Sequence, residues 1–190
     1  MASENTPQVN PAGLGLASFG LTTVLLSLIN AGILPAGGEP VVLPLAIALG
    51  GTAQIIAGIA EIRTGNTFGT TAFVAYGAFW WWFALLLILG HNGVLDLKEA
   101  GSTIGAALVL WGVFTLYMWI ASFRLNRVVF LVFLTLWVTF FLLGGGALLG
   151  NPSLSHLGGL LGLVCGALAL YGSFAIVTNS TFGRTVVPLG

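Results

Sequence analysis

The sequence predicts an all-α integral membrane protein in which six helices cross the bilayer and both termini lie in the cytoplasm. The chain of 190 residues is 57% hydrophobic and only 5% charged, whereas a soluble domain carries about 25% charged residues. Six apolar segments each approach the ~20 residues that a helix needs to span the hydrocarbon. Basic residues are concentrated in the loops on one side, and the positive-inside rule places that side in the cytoplasm.

The first span is predicted to begin at Asn10 and Pro11, with the asparagine as N-cap and the proline in the first helical turn. Pro44 is expected in the first turn of the second helix, where its missing N–H costs little. Asn151 and Pro152 interrupt the chain before the sixth helix. The predicted spans cover residues of about 13–34, 41–62, 70–90, 101–122, 127–149 and 155–178.

The loops between these spans are too short for a second domain, so residues 1–190 are predicted to form a single six-helix membrane domain. Residues 1–12 are interpreted as a cytoplasmic tail, because no basic run precedes an apolar core as it would in a cleavable signal. Lys98 is the one basic residue expected on the outer side. The basic residues on the side of the termini are Arg63, Arg124, Arg127 and Arg184.

The chain lacks the residues that several classes of protein need for their function. No ionisable residue falls near the middle of a predicted span, where proton pumps and many coupled carriers place carboxylates. One cysteine and two distant histidines give no metal-ligand cluster. Balanced charge, with five basic and five acidic residues, gives no reason to expect a nucleic-acid partner. We therefore expect no enzyme activity, no metal and no cofactor.

Polar residues on the first two helices are candidates for a solute path. Phe19, Thr23 and Asn30 lie on one stripe of the first helix. This stripe could line a path, or its hydroxyls could bond back to their own helix while Asn30 caps the helix end. Gln54 lies between Gly50 and Gly58, which let another helix approach, so its amide is interpreted either as an interhelical clamp or as a polar group in the path.

Two further features leave the same kind of choice open. Tyr76 opens an aromatic stretch and carries a hydroxyl, which makes it a better pore candidate than the tryptophans that follow it. Glu61 and Arg63 lie at the cytoplasmic end of the second helix. They are interpreted as a solvated ion pair or as groups at a cytoplasmic mouth, to which Asn10 is also assigned.

Several stretches together resemble one known family. Asn10–Leu16 is similar to the N-P-A-P-L-G-L signature of the acetate uptake transporter family, with Gly13 in place of the second proline. The likeness extends over nearly the whole chain. It continues in order through Ser18–Thr23, Gly50–Gln54, Gly65–Gly69, Tyr76–Trp80, Trp111–Leu116 and Phe182–Pro188.

The resemblance implies a six-helix channel or permease for acetate and other small monocarboxylates, with succinate as a substrate of some members. It also implies a homo-hexamer with one path through each protomer, in the inner (cytoplasmic) membrane of a cell. The narrowest point would be formed by Phe19, Tyr76 and Leu136, and Ala169 would tune solute size. Thr23, Asn30, Gln54 and Tyr76 could then donate hydrogen bonds to a carboxylate without the tight binding of a buried cation.

Two alternatives remain open from the sequence. One is a channel for another small neutral solute or anion, which solute competition would reveal. The other is a non-conducting membrane scaffold or sensor, in which Phe19, Tyr76 and Leu136 could be replaced without changing any flux. The sequence does not distinguish a channel from proton-linked transport, since a proton could also cross on the substrate itself.

Overall fold

A computed structural model of the chain describes residues 9–97 and 100–190 and confirms six membrane-length helices. Within these residues no strand occurs. Lys98 lies outside the described residues, as does most of the expected N-terminal tail. The helices are α1 (Ala12–Asn30), α2 (Ala36–Arg63), α3 (Thr67–His91), α4 (Gly101–Ala121), α5 (Arg127–Leu149) and α6 (Pro152–Phe182).

Helix α1 ends four residues before its predicted boundary. Gly32 has a φ of 64°, a left-handed conformation that glycine adopts without a steric penalty. Its N–H donates to the carbonyl of Ile29, and the N–H of Ile33 donates to that of Leu28. These bonds satisfy carbonyls at the helix end and reverse the chain, as in other glycine-terminated helices.

Helix α2 is longer and less regular than predicted. It opens with a 3₁₀ turn at Ala36–Gly38, so Pro44 lies inside the helix and not in its first turn. A π-helical stretch, Ala46–Ala53, follows directly, and regular α-helix resumes over Gln54–Arg63. Such π-helical turns are rare and are frequent at functional sites. This one comes directly before Gln54.

Small residues decide how closely the helices pack. Helix α1 packs against α6, α6 against α5, α5 against α4, and α2 against α3. At the α4–α5 contact, a Cβ added to either Gly105 or Gly144 would lie 2.9 Å from the carbonyl oxygen of the other. The backbones therefore touch, as expected where small residues allow helices to approach in lipid. The backbones of α3 and α4 approach each other in few places.

The segment after α6 folds back across the bundle. The side-chain oxygen of Asn179 accepts the N–H groups of Val186 and Val187 at 2.7 and 2.9 Å. The carbonyl of Leu189 then accepts the N–H of Val128, near the start of α5. This segment consequently covers the end of the bundle where α1, α3 and α5 begin.

Candidate solute pathway

A cavity of about 210 Å³ opens between the first turns of α1, α3 and α5. We call it the vestibule. Its polar lining consists of three asparagines, each of which lies just before one of these helices: Asn10, Asn66 and Asn126. Leu189 of the C-terminal segment also lines it. Deeper in the vestibule the lining is apolar and includes Leu16, Ala72, Phe73 and Phe133.

Each vestibule asparagine holds the helix that follows it. The side-chain oxygen of Asn66 accepts the N–H of Gly69 at 3.0 Å, and that of Asn126 accepts the N–H of Val129 at 2.9 Å. Asn10 accepts the N–H of Ala12 at 3.0 Å. Asparagine at these positions satisfies N–H groups that have no partner within the helix. In α1 the N-cap is Pro11 and not Asn10 as predicted, so the hydrogen bond to Asn10 forms one residue before the cap.

The same arrangement sets the electrostatics of the vestibule. Helix N-termini carry partial positive charge, because their peptide dipoles align and their first N–H groups point outward. Three such ends converge on the vestibule, and no lysine or arginine is among the residues that line it. The cavity can therefore attract a small anion without holding it in a salt bridge.

The vestibule narrows to a second cavity of about 20 Å³, which we call the constriction. The two cavities share Leu16, Ala72, Phe73 and Phe133. The constriction is further lined by Phe19, Gln54, Tyr76, Val132 and Leu136. The three residues expected at the narrowest point therefore line one cavity, with Gln54 beside them.

Aromatic rings form much of the constriction wall. The ring centroids of Phe19 and Tyr76 are 5.9 Å apart, and those of Tyr76 and Phe133 are 6.0 Å apart. Behind Tyr76, the ring of Phe114 packs edge to face at 5.5 Å. Rings at these separations attract one another and resist displacement, so the wall is apolar and held in place from behind.

The hydroxyl of Tyr76 is engaged outside the path. Its oxygen lies 2.9 Å from Thr115 Oγ1 in α4. Thr115 in turn donates its own proton to the carbonyl of Trp111 at 2.7 Å. Because a threonine hydroxyl has one proton, Tyr76 must be the donor in the first bond. The expected donation from Tyr76 to a carboxylate is therefore not available in this arrangement.

Gln54 is 1% exposed, and its side-chain oxygen has no hydrogen-bond partner among the described residues. The oxygen therefore forms no clamp between helices within the described part of the chain. Instead the residue lines the constriction next to Phe19 and Tyr76. A buried amide oxygen without a partner costs free energy.

The other predicted path residues lie away from both cavities. Thr23 is 7% exposed, one turn along α1 from Phe19, and its hydroxyl has no partner in the described part of the chain. Ala169 is fully buried in the core, and Asn30 is half-buried as the last residue of α1. None of the three lines the vestibule or the constriction.

The interpretation of Glu61 as part of a solvated pair is wrong. Glu61 is 2% exposed, and one carboxylate oxygen accepts hydrogen bonds from Thr64 Oγ1 at 3.0 Å and Asn66 Nδ2 at 2.9 Å. It lies behind the vestibule wall and does not line the cavity, whereas Arg63 is exposed at the end of α2. Of the residues assigned to the mouth, the structure places Asn10 alone in the vestibule lining.

Sequence reasoning missed Asn66 and Asn126 as lining residues. The available signal was an asparagine directly before an apolar run, at Asn66-Thr67 and Asn126-Arg127, which is a common way to start a helix. That pattern predicts helix caps, but it does not show that the asparagines before α1, α3 and α5 line the same cavity.

Comparison with known proteins finds similarity to one family of membrane transporters. A model of the GPR1/FUN34/yaaH family matches residues 2–189. The succinate-acetate/proton symporter SatP of Escherichia coli (strain K12) is 45% identical over 186 residues, which cover 98% of this chain and 97% of that protein. Acetate permease A of Emericella nidulans is 35% identical over 95% of this chain and 65% of its own length.

The fold has also been solved in a relative. The structure of the bacterial acetate channel SatP superimposes with a TM-score of 0.91 at 44% identity. The match covers 96% of this chain and 99% of that one. The likeness therefore includes the helices that line both cavities.

Proposed function

Because this multi-pass membrane protein belongs to the GPR1/FUN34/yaaH family, we propose that it is a channel or permease for acetate and related small carboxylates, succinate among them. The observation that carries the proposal is the cavity that narrows from about 210 to about 20 Å³ at Phe19, Tyr76 and Leu136. The relatives named for acetate share the fold over nearly its whole length.

The vestibule is the entrance of the proposed path, where the solute first binds. A carboxylate entering it meets three helix N-termini, whose partial charges favour an anion. Each such end contributes roughly 0.3–1 kcal/mol when exposed to water. This attraction concentrates the solute but allows release, which a conducting path requires.

The constriction provides selectivity. Its wall is built from aromatic and aliphatic side chains, which suit the methyl group of acetate and give no compensation to a hydrated ion that loses its water. Apolar constrictions of this kind exclude bulk water and ions. A small solute with one apolar end and one hydrogen-bonding end passes most easily.

We further propose that both termini lie in the cytoplasm and that the protein works as a homo-hexamer in the inner (cytoplasmic) membrane of a prokaryotic cell. Arg63, Arg124, Arg127 and Arg184 all flank the vestibule end of the helices, in agreement with the positive-inside rule. The vestibule would then be the cytoplasmic entrance of each protomer.

The test is acetate flux into liposomes that contain the purified protein, measured with and without an imposed pH gradient. The gate variant is Tyr76→Ala. Its matched control is Tyr117→Ala, since Tyr117 lies in α4 with 52% of its surface exposed and lines neither cavity. We expect saturable flux in the wild type and in Tyr117→Ala, and an altered rate or selectivity in Tyr76→Ala.

Three results would contradict the proposal in different ways. Wild-type flux no greater than that of empty liposomes would remove acetate as a substrate. Acetate flux abolished by an unrelated neutral solute at equal concentration would favour a channel for that solute. An unchanged rate and selectivity in Tyr76→Ala would show that the constriction is not the path, as in a scaffold or sensor.

A further inference from the structure

The carboxylate of Glu61 is a buried acidic group directly behind the wall of the vestibule. Its side chain is 2% exposed. Gly69 lines the vestibule, and a Cβ added there would lie 2.9 Å from the Glu61 carboxyl carbon. The absent side chain of Gly69 therefore leaves the carboxylate close to the cavity. Glutamate is almost never fully buried unless it is paired, so its position here calls for a physical reason.

The hydrogen bonds of the Glu61 side chain come from neutral groups. Its Oε2 accepts from Asn66 Nδ2 at 2.9 Å and from Thr64 Oγ1 at 3.0 Å. Its Oε1 has no hydrogen-bond partner among the described residues. Because neither donor is a cation, these bonds do not cancel the negative charge of the carboxylate. The field of that charge therefore extends into the adjacent cavity.

Asn66 connects the carboxylate to the vestibule. Its Oδ1 accepts the N–H of Gly69 at 3.0 Å, and the amide is therefore oriented with Nδ2 toward Glu61. Asn66 also lines the vestibule. A solute that contacts Asn66 is consequently separated from the Glu61 carboxylate by one side chain.

The charge of Glu61 opposes the attraction that the helix ends exert. The starts of α1, α3 and α5 favour an anion in the vestibule through their partial positive charges, whereas a carboxylate behind the wall repels it. This repulsion is stronger where little water lies between the two charges. A site on a transport path has to bind its solute weakly enough to release it, and the two opposing effects meet that requirement.

We propose that Glu61 determines the affinity of the vestibule for its solute. Its carboxylate positions Asn66 through the hydrogen bond to Nδ2, and its buried negative charge limits how tightly another carboxylate binds in the cavity. The inference rests on the proposed function and assigns a role to a residue that does not itself line the path. Glu61 is thus a positioning residue whose charge acts on the bound anion.

The test compares two variants in liposomes sorted by orientation, with acetate added on the vestibule side at about pH 8, where a carboxylic acid is ionised. Glu61→Gln removes the charge but keeps an oxygen that can accept from Asn66. We expect the acetate concentration for half-maximal flux to fall about threefold to tenfold. The maximal flux should fall as well, because a solute that binds more tightly in the vestibule leaves it more slowly.

Glu61→Asp keeps the charge but shortens the side chain, so its half-saturating concentration should stay close to that of the wild type. The control for removing a charge elsewhere is Glu39→Gln. Glu39 is half-buried at the opposite end of α2 and lines neither cavity. This variant should have the half-saturating concentration of the wild type.

A half-saturating concentration in Glu61→Gln equal to or above that of the wild type would overturn the inference and leave the proposed function intact. An equal fall in Glu61→Asp or in Glu39→Gln would do the same, since neither variant removes the charge behind the vestibule. A structural role alone predicts lower flux without tighter binding.

Glu61→Met provides a second neutral side chain if Glu61→Gln does not fold, and the same fall in half-saturating concentration is expected. Failure of both neutral variants to fold, with Glu61→Asp folded, would show that the charge serves the fold and would overturn the inference. Absence of any saturable acetate flux in the wild type would instead overturn the proposed function.

Discussion

The hydroxyl oxygens of Tyr76 in α3 and Thr115 in α4 lie 2.9 Å apart and join two helices whose backbones approach in few places. The bond turns the tyrosine hydroxyl away from the solute path and leaves the ring as part of the constriction wall. Thr115 is fully buried, and Tyr76 is 3% exposed. The hydrogen bond is therefore shielded from water. It should contribute to the stability of the fold and hold the Tyr76 ring in its place in the constriction wall.

Replacing Thr115 by valine should destabilise the protein by about 1–3 kcal/mol, because the Tyr76 hydroxyl would be buried without a partner. Tyr76→Phe should cost less, since Thr115 keeps its bond to the Trp111 carbonyl. The double variant should cost less than the sum of the two single variants. The measurement is a double-mutant cycle on the free energy of unfolding in mixed micelles, and strict additivity would contradict the prediction.

Gly77→Ala should separate α2 from α3. A Cβ at Gly77 would lie 2.5 Å from Ile55 Cγ1 and 2.8 Å from the carbonyl oxygen of Gly51, and the backbone cannot yield as a side chain can. We expect a loss of about 1–3 kcal/mol, measured by thermal unfolding in detergent. The control is Gly145→Ala, where the one neighbour within 4 Å is Leu154 Cδ1 at 3.7 Å. An equal loss in both variants would argue against this packing.

Asn126→Ala should affect both stability and transport. It removes the N-cap of α5, at a cost of about 1 kcal/mol, and one polar group of the vestibule. Asn151→Ala is the control, because Asn151 caps α6 through the N–H of Ser153 at the opposite end of the bundle. Both should lower the melting temperature by a similar amount.

Transport separates the two asparagine variants. The acetate concentration for half-maximal flux from the vestibule side should rise in Asn126→Ala and stay unchanged in Asn151→Ala. Flux assays in liposomes sorted by orientation provide the measurement. If both variants show the same half-saturating concentration as the wild type, the vestibule asparagines act as helix caps without recruiting the solute.

Leu136→Ala should widen the constriction, since Leu136 is 4% exposed and lines the narrow cavity. We expect faster flux of carboxylates with longer alkyl chains relative to acetate, together with a loss of stability of about 2–5 kcal/mol. Leu131→Ala on the outer face of the same helix, where the side chain is 38% exposed, should leave the ratio of rates unchanged. The measurement is the ratio of butyrate to acetate flux at saturation, and an equal ratio in Leu136→Ala and the wild type would oppose a gate at this position.

The number of helices and most of their bounds could be predicted because apolar length is a local property. Helix α5 spans Arg127–Leu149, as the hydropathy pattern predicts. The irregular course of α2 could not be predicted in this way. Its π-helical stretch, Ala46–Ala53, shifts the hydrogen-bond pattern by one residue, and mean hydropathy does not depend on that pattern. The early start of α2 at Ala36 was not predicted, because Pro35 and Pro40 were interpreted as the two ends of a loop.

Glu61 shows where sequence reasoning about charge is insufficient. A glutamate in the last turn before a glycine-containing loop is usually solvated. Here α3 comes so close that a Cβ at Gly69 would lie 2.9 Å from the Glu61 carboxyl carbon. The missing side chain of Gly69 makes room for the buried carboxylate, and Thr64 and Asn66 supply its hydrogen bonds. Neither the contact nor the burial follows from the spacing of the two residues along the chain.

By itself, the sequence determined that the chain spans a membrane six times, and its resemblance to a known family made Phe19, Tyr76 and Leu136 candidates for one constriction. The tertiary structure decided which polar groups remain free. It joined Tyr76 to Thr115, left the Gln54 oxygen unpaired and brought three helix N-termini to one vestibule. The physical reason is that helix formation depends on residues near in sequence, whereas the partner of a buried polar atom depends on which helices pack together and at what distance.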